Sequence, residues 1–250
     1  MHKPLKTHFL FIFMVEKQKI AGILFSGGKD STYSAYLAKK QGYKLACLIS
    51  IFSENPESYM FHTPSITRVE KQAKVMGIPL IIQKTKGKKE DELKDLEKAI
   101  KNAKQRYKIE TIVTGAIQSE YQKKRIQKIC EKLKLECFNP LWQKDELEYL
   151  NELINTNFKV IVTGVFAYPL TKEWLGREIN CEFKEEIIDL NNKYKIHIAG
   201  EGGEYETFVL NCPLFKKPLV IKNKKISGEK NSWRMDIDVE WYKYLKTKRR

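Results

Sequence analysis

The first half of the chain alternates short apolar runs with amphipathic stretches, and this alternation constrains the fold more than any other feature. The apolar runs lie at 19–25, 43–52, 78–83, 111–115 and 136–138, and the helical stretches lie at 31–41, 69–76, 91–107 and 120–133. Strands that alternate with helices build a parallel sheet that is covered on both faces. The sequence therefore predicts a doubly wound α/β fold over residues 14–142.

The order of elements changes after residue 142. A helix, a strong strand and a second helix precede a glycine-rich segment at 200–207. The closing stretch, 218–240, alternates apolar and polar residues around Ser227-Gly228, and this pattern predicts a hairpin with its turn at those two residues. We therefore expect a smaller C-terminal α+β lobe over residues 143–250.

The charge of the chain favours an anionic partner. Lys and Arg number 46 against 31 Asp and Glu, which gives a net charge of +15. Such a balance suits a nucleotide, a nucleic acid or an acidic protein surface. Most of the lysines fall at solvent positions of predicted helices, as Lys94, Lys98 and Lys101 do. The charge is therefore weak support for nucleic acid, which we do not expect as a partner.

The five cysteines are widely spaced and form no Cys-x-x-Cys pair, so they predict neither a zinc site nor a redox couple. They fit a reducing, cytoplasmic location.

The apolar run at 9–15 is far shorter than the ~20 residues of a membrane span, and we expect neither a span nor a targeting segment. Met14 is a second plausible start, because 15–18 leads directly into the first strand. A genuine extra segment packed on the surface is the alternative.

The segment Ser26-Gly27-Gly28-Lys29-Asp30-Ser31 connects the first predicted strand to the first predicted helix. Two glycines let the backbone approach an anion, successive N–H groups form a concave site, and the helix N-terminus adds its dipole. The spacing differs from that of the Walker A loop, which disfavours ordinary P-loop ATPase chemistry. We expect this segment to bind the phosphates of ATP. The structural alternative is a glycine turn before a helix that Asp30 or Ser31 caps.

Further motifs follow along the chain. They are Tyr59-Met60-Phe61-His62-Thr63-Pro64, Gly115-Ala116-Ile117 with Tyr121-Gln122, Asn139-Pro140-Leu141-Trp142, Trp174-Leu175-Gly176-Arg177 and Gly200-Glu201-Gly202-Gly203-Glu204-Tyr205-Glu206-Thr207. The glycine-lysine loop resembles the PP-loop of the ATP pyrophosphatases, and the motifs together resemble the diphthine–ammonia ligases. The resemblance spans roughly residues 19–215 and implies an adenine-nucleotide-binding, HUP-like fold. Taken alone, His62 and Trp142 are more typical of structural residues.

The resemblance implies a reaction. ATP would adenylate the diphthine carboxylate of elongation factor 2 and release pyrophosphate, and ammonium would then supply the amide nitrogen as AMP leaves. ATP and Mg²⁺ are the implied cofactors. Two alternatives stay open: a PP-loop enzyme that modifies tRNA, and a non-catalytic protein that binds AMP or ATP. A sulfur-transferring tRNA enzyme is disfavoured because Cys130 and Cys137 lack the spacing of a cysteine pair.

The resemblance also implies residue roles. Lys29, expected to face solvent, would neutralise the departing pyrophosphate, and Asp30 would help to hold Mg²⁺. The implied catalytic residues are Lys29, Asp30, Glu201 and Glu204, and Gly115 joins Ser26 to Ser31 in the ATP site. The implied substrate-binding residues are Tyr59, His62, Tyr121, Trp142, Arg177, Gly202, Gly203, Glu206 and Thr207. Ammonium is expected between Glu201, Glu204 and Glu206, and the trimethylammonium group of diphthine among the rings of Tyr59, Phe61, Tyr121, Trp142 and Tyr205.

Overall fold

The structure is a computed structural model that describes residues 17–53, 66–87 and 89–241. Its elements are β1 (Ile20–Leu24), α1 (Lys29–Lys40), β2 (Lys44–Ser53), α2 (Ile66–Met76), β3 (Leu80–Thr85), α3 (Lys89–Tyr107), β4 (Thr111–Val113), α4 (Glu120–Lys132), β5 (Glu136–Phe138), α5 (Glu146–Asn155), β6 (Lys159–Val165), α6 (Cys181–Tyr194), β7 (Tyr205–Asn211), β8 (Leu219–Glu229) and β9 (Ser232–Trp241). No helix in these ranges is long and apolar enough to cross a lipid bilayer.

The first five strands form a parallel sheet in the order β3-β2-β1-β4-β5. Its side chains alternate between two cores, because successive residues of a strand point to opposite faces. Leu48 of β2 packs with α1 and α2 on one face, whereas Cys47 and Ile49 pack with α3 and α4 on the other. Helices therefore cover both faces, and the predicted doubly wound α/β fold is confirmed.

The last four strands form an antiparallel sheet in the order β7-β6-β9-β8. The predicted hairpin is present, but the predicted turn at Ser227-Gly228 is wrong. Glu229 pairs with Ser232, so the turn is the two-residue loop Lys230-Asn231. Gly228 lies within the strand, where a Cβ would come within 2.6 Å of the Trp233 Cα. The glycine thus permits a close approach between strands instead of making the turn.

One hydrophobic core joins the two sheets. The cluster on the α1 side of the parallel sheet continues without a break into α5, β6, α6 and β7. At its centre, the Tyr33 ring of α1 lies 5.4 Å from the Tyr149 ring and 5.3 Å from the Phe158 ring, measured between centroids. The Tyr33 hydroxyl also donates to Glu152 Oε2 at 2.9 Å. The C-terminal lobe therefore packs directly on the first helix of the nucleotide fold.

Candidate nucleotide and acceptor site

The glycine-lysine loop, residues 26–31, is called the phosphate loop, and it opens into a cavity at the carboxyl edge of the parallel sheet. This cavity has a volume of about 420 Å³, which is typical of small-molecule sites. One wall is formed by the phosphate loop, β2 and residues 114–116. The other is formed by β9 and by Gly200, Glu201, Gly203, Tyr205, Glu206 and Thr207. Open α/β sheets bind their ligands at this edge. The two lobes thus enclose one site.

The loop leaves the N-terminus of α1 without a side-chain cap. Gly28 is the N-cap residue and has no side chain to accept a hydrogen bond, so the expected alternative of capping by Asp30 or Ser31 is wrong. Gly27 has φ +83°, a conformation that glycine adopts at little cost. The Ser26 and Ser31 hydroxyls lie 3.1 Å apart and hold the loop closed. An uncapped helix start beside two glycines is a ready anion site.

A buried glutamine fixes the shape of this loop. Gln72 Nε2 donates to the carbonyl oxygens of Gly27 and Val209, both at 2.9 Å. The Val209 N–H also donates to the Gly27 carbonyl at 3.2 Å. Gln72 is fully buried, and the sequence analysis does not identify it. The sequence does contain one signal for Gln72: it is a polar residue among the apolar residues of α2 that face the core. Those apolar residues are Val69, Ala73 and Met76.

Lys29 is buried, so the expectation that it faces solvent is wrong. Its side chain is 3% exposed, and its Nζ donates to Asp30 Oδ1 and Oδ2 at 2.8 and 2.9 Å. The ammonium also lies 5.7 Å from the Tyr149 ring centroid and 5.5 Å from that of Tyr205. The Lys29 N–H donates to Thr207 Oγ1 at 3.0 Å. Residues of the second lobe therefore shield and orient this lysine.

The two tyrosines around Lys29 are neutral at physiological pH. Burial raises the pKa of Tyr149 and of Tyr205 well above the ordinary value, and the nearby Asp30 carboxylate raises both further. The Tyr149 hydroxyl donates to Asp30 Oδ1 at 3.0 Å, and the Tyr205 hydroxyl donates to the Ile198 carbonyl at 2.6 Å. Both phenols thus act as fixed hydrogen-bond donors.

The described residues do not fit a protein-held magnesium ion. Both carboxylate oxygens of Asp30 accept from Lys29, and Oδ1 also accepts from Tyr149. Within the described ranges, no three His, Cys, Asp or Glu side chains are grouped so that they could hold a metal. The geometry therefore gives no support to Asp30 as a Mg²⁺ ligand.

Gly115 touches the first turn of α1. A Cβ at this position would lie 2.8 Å from the carbonyl carbon of Asp30 and 2.9 Å from the Ser31 nitrogen. Real Cβ atoms do not approach backbone this closely, so only glycine fits between the end of β4 and the phosphate loop. Gly115 thus lies beside the loop, and its part in binding ATP stays a prediction.

Glu201 binds backbone amides. Its Oε1 accepts from the N–H groups of Ile117, Gln118 and Ser119 at 3.1, 2.9 and 3.1 Å. These amides precede α4, where the helix dipole favours an anion. The carboxylate therefore joins the glycine-rich segment of the second lobe to the loop after β4.

The other two glutamates of the motif face different surroundings. Glu204 is 9% exposed, and its Oε1 accepts from the His197 N–H at 3.1 Å. Glu206 lines the cavity beside Thr207, whereas Glu204 is not among its lining residues. Gly203, with φ +85°, turns the chain between Glu201 and Glu204. The three carboxylates of the predicted ammonium site therefore do not converge on one point in this structure.

Replacing Glu201 with alanine is expected to lower the free energy of unfolding by roughly 2–4 kcal/mol, because three amides lose a charged acceptor. Glu201→Gln should cost less, since its amide oxygen still accepts. Denaturant unfolding measures both, with Glu185→Ala on the exposed face of α6 as the control. Equal stability of Glu201→Ala and the control would contradict this role.

His197 lies beside the same segment and carries a pH-dependent contact. Its Nδ1 is 3.1 Å from Glu146 Oε1. This hydrogen bond raises the pKa of His197 above 6.5, against the opposing effect of burial, and Glu204 adds to the rise. Because the folded pKa is raised, the contact stabilises the fold fully below the unfolded pKa and loses this effect as the pH rises through the folded pKa.

We therefore expect an NMR titration to give His197 a pKa above 6.5 in the wild type and a lower value in Glu146→Gln. The wild type should exceed the variant in stability most clearly below pH 6.5, and the difference should shrink at higher pH. An unchanged His197 titration in the variant would exclude Glu146 as the cause.

Three of the rings predicted to hold trimethylammonium already face cations of the chain. Arg125 Cζ lies 3.3 Å from the Tyr121 centroid, and Lys123 Nζ lies 3.7 Å from that of Trp142. Tyr205 faces Lys29 and lines the cavity, whereas Tyr121 and Trp142 are not among the lining residues. The aromatic site stays a prediction that rests mainly on Tyr59 and Phe61. Tyr59, Phe61 and His62 lie outside the described residues.

Arg177 is engaged away from the cavity. Its Nη1 and Nη2 donate to Glu186 at 2.7 and 2.6 Å, and its Cζ lies 4.4 Å from the Trp174 centroid. The bidentate pair raises the pKa of Arg177 and lowers that of Glu186. Of the remaining predicted substrate residues, Gly203 and Thr207 line the cavity and Gly202 does not.

The structure adds cavity residues that the sequence analysis does not identify. Arg68 of α2 and the β9 residues Arg234, Met235 and Asp236 line the cavity. β9 belongs to the antiparallel sheet, and no local sequence motif indicates that it lines the cavity. The position of Arg68 could have been inferred from the helical pattern, because Arg68 lies one helical turn before Gln72 on the same face of α2.

The loop, the sheet and the cavity together define a nucleotide-binding α/β protein of the PP-loop class. A family model described as the diphthamide synthase N-terminal domain matches residues 19–137, and one described as the diphthamide synthase C-terminal domain matches residues 145–245. The chain belongs to the diphthamide synthase family, whose named relatives are carbon–nitrogen ligases.

The relatives agree with this assignment. The chain is 34% identical over 221 residues to the diphthine–ammonia ligase of Mus musculus, covering 81% of this chain and 82% of that protein. It is 32% identical over 222 residues to the diphthine–ammonia ligase of Bos taurus, covering 81% and 83%. A tRNA-5-methyluridine(54) 2-sulfurtransferase of Pyrococcus horikoshii is 41% identical over 69 residues, which is 26% of this chain and 19% of that protein.

Proposed function

We propose that this protein is a cytoplasmic, ATP-dependent ligase that converts the diphthine carboxylate of elongation factor 2 into an amide, with ammonium as the nitrogen source. The observation that carries the proposal is the shared cavity. The phosphate loop and the 200–207 segment face each other across it, and the Lys29 N–H bonds directly to Thr207. A nucleotide and an acceptor held there would react without either leaving the site.

The cavity offers different surfaces to the parts of ATP. Leu24, Ile49, Ile51 and Ile126 line an apolar region that suits the adenine ring. The loop amides and the Lys29 ammonium suit the phosphates, because both are fixed before the nucleotide arrives. The triphosphate would thus lie between the adenine region and the acceptor side.

The reaction has two steps. A carboxylate oxygen of the acceptor attacks the α-phosphorus, the bond from that phosphorus to the bridging oxygen breaks, and pyrophosphate leaves with the negative charge that Lys29 offsets. Ammonia then attacks the acyl carbon, and the bond to the AMP oxygen breaks. The ammonium ion must lose one proton before it attacks and a second as the amide forms. Glu201 and Glu206 are the carboxylates of the motif that line the cavity. Because Glu201 already accepts from three backbone amides, we assign Glu206 to the ammonium.

The test is incubation of the purified protein with ATP, isotopically labelled ammonium and elongation factor 2 that carries diphthine. We expect labelled nitrogen in the modified residue, with AMP and pyrophosphate formed in equal amounts. Labelled product without AMP would contradict the adenylate route. No nucleotide turnover with any acceptor would favour a protein that only binds nucleotide.

The sulfurtransferase alternative has one structural observation in its favour. Cys130 and Cys137 lie close together in the fold, and their interaction raises the pKa of Cys130 and lowers that of Cys137. The two thiols lie in the core between α4 and β5 and do not line the cavity. Thiolation of tRNA by the purified protein with a sulfur donor would nevertheless overturn the ligase proposal.

A further inference from the structure

A buried arginine at the acceptor side of the cavity has unused hydrogen-bonding capacity. Arg68 is 8% exposed and lines the cavity, and its Nε has no hydrogen-bond partner among the described residues. Its Nη2 lies 3.7 Å from Asp236 Oδ1, which is longer than a hydrogen bond. Buried donors are rarely left unpaired in native structures. The guanidinium therefore has a donor available for a ligand in the cavity.

Arg68 and the phosphate loop line the same cavity. It precedes Gln72 by four residues on α2, so both side chains lie on the same face of the helix. Gln72 holds the Gly27 carbonyl of the phosphate loop. Arg68 thus lies about one helical turn, roughly 5.4 Å along the axis, from the residue that holds that loop.

The surroundings of Arg68 carry both signs of charge. Asp236 and Glu206 are near enough to raise its pKa against the larger lowering effect of burial. The Arg68 Cζ also lies 5.9 Å from the Phe208 ring centroid. A guanidinium flanked by two carboxylates forms a surface complementary to a ligand that carries an anion and a cation side by side. A simple anion such as phosphate would contact the guanidinium but not the two carboxylates.

We propose that Arg68 is the positioning residue for the acceptor and holds the carboxylate of a zwitterion, while Asp236 faces its quaternary ammonium. The inference rests on the proposed function, since diphthine carries a carboxylate beside a trimethylammonium group. A guanidinium binds a carboxylate through two parallel N–H donors and fixes its plane. The quaternary ammonium has no N–H group, so the Asp236 carboxylate binds it by charge alone.

Arg68→Met keeps an apolar chain of similar length and removes the donors. We expect the KM for diphthine-bearing elongation factor 2 to rise roughly tenfold to a hundredfold, with the Kd for ATP within about twofold of the wild type. Arg68→Lys should recover part of the loss, because it keeps the charge but not the planar donors. Arg106→Met, which removes an exposed arginine of α3, is the matched control and should behave as the wild type.

A second measurement separates positioning from general damage to the site. The wild type should bind the diphthine-bearing factor more tightly than the factor that carries the neutral amide, and Arg68→Met should lose this preference. A preference that persists in Arg68→Met would overturn the inference, as would an equal loss of affinity for ATP. Failure of the proposed function itself would show differently, as a wild type that forms no amide.

Discussion

Replacing Lys29 with methionine is expected to lower the rate of AMP and pyrophosphate formation by about 10²–10³, the usual loss when one fixed charge at a reacting group is removed. The ammonium is 3% exposed and fixed by Asp30, so it requires little reorganisation when pyrophosphate leaves. Pyrophosphate release with saturating ATP and acceptor measures the effect. Wild-type release by the variant would remove Lys29 from the proposed mechanism.

The same substitution is also expected to destabilise the fold. It leaves the Asp30 carboxylate, whose side chain is 32% exposed, without its ammonium partner. We expect a loss of roughly 1–3 kcal/mol, less than for a fully buried pair. The double variant Lys29→Met, Asp30→Asn removes both charges and should recover stability without recovering the rate. A double variant that regains the wild-type rate would show that the single variant failed through misfolding.

Replacing Gly115 with alanine is expected to weaken ATP binding tenfold or more, because the new Cβ would meet the Asp30 and Ser31 backbone at 2.8 and 2.9 Å. The first turn of α1 must shift to make room, and that turn carries the phosphate loop. Overpacking against backbone typically costs about 1–3 kcal/mol of stability. Calorimetric titration with ATP and denaturant unfolding report the two effects.

Gly42→Ala is the matched control for this substitution. Gly42 lies between α1 and β2, has φ +87°, and its added Cβ would meet no atom within 4 Å. We expect a loss of roughly 1 kcal/mol from the backbone conformation alone, with no change in the affinity for ATP. If Gly115→Ala binds ATP as tightly as Gly42→Ala, the loop does not depend on this contact.

The parallel half of the fold could be predicted because each of its elements has its own local pattern. β5, for example, lies at Glu136–Phe138, where a short run follows the helical pattern of α4. The phosphate loop was identifiable for the same reason, since all its residues are contiguous. The turn of the last hairpin was not, because glycine is equally suited to a turn and to close contact between strands.

The environment of Lys29 could not be predicted, because it depends on distant residues. Tyr149 follows Asp30 by 119 positions, and Tyr205 comes from the second sheet. The glutamates of the 200–207 segment show the opposite difficulty. They are close in sequence, but the backbone turns between them and directs Glu201 to the amides before α4 and Glu204 to His197. Spacing along a loop does not determine which way its side chains point.

The core that joins the two sheets has a consequence for how a protein substrate is recognised. A hinge opening between the lobes would separate Tyr33 from Tyr149 and Phe158, which are buried in that core. Because that separation would expose buried apolar side chains, we expect the cavity to keep its width. Under the proposed function the substrate side chain must then be long enough to reach the nucleotide. We expect a long modified side chain to span the entrance and reach the nucleotide, whereas an unmodified histidine would stop outside. The length of the side chain would thus select the substrate before any electrostatic contact forms.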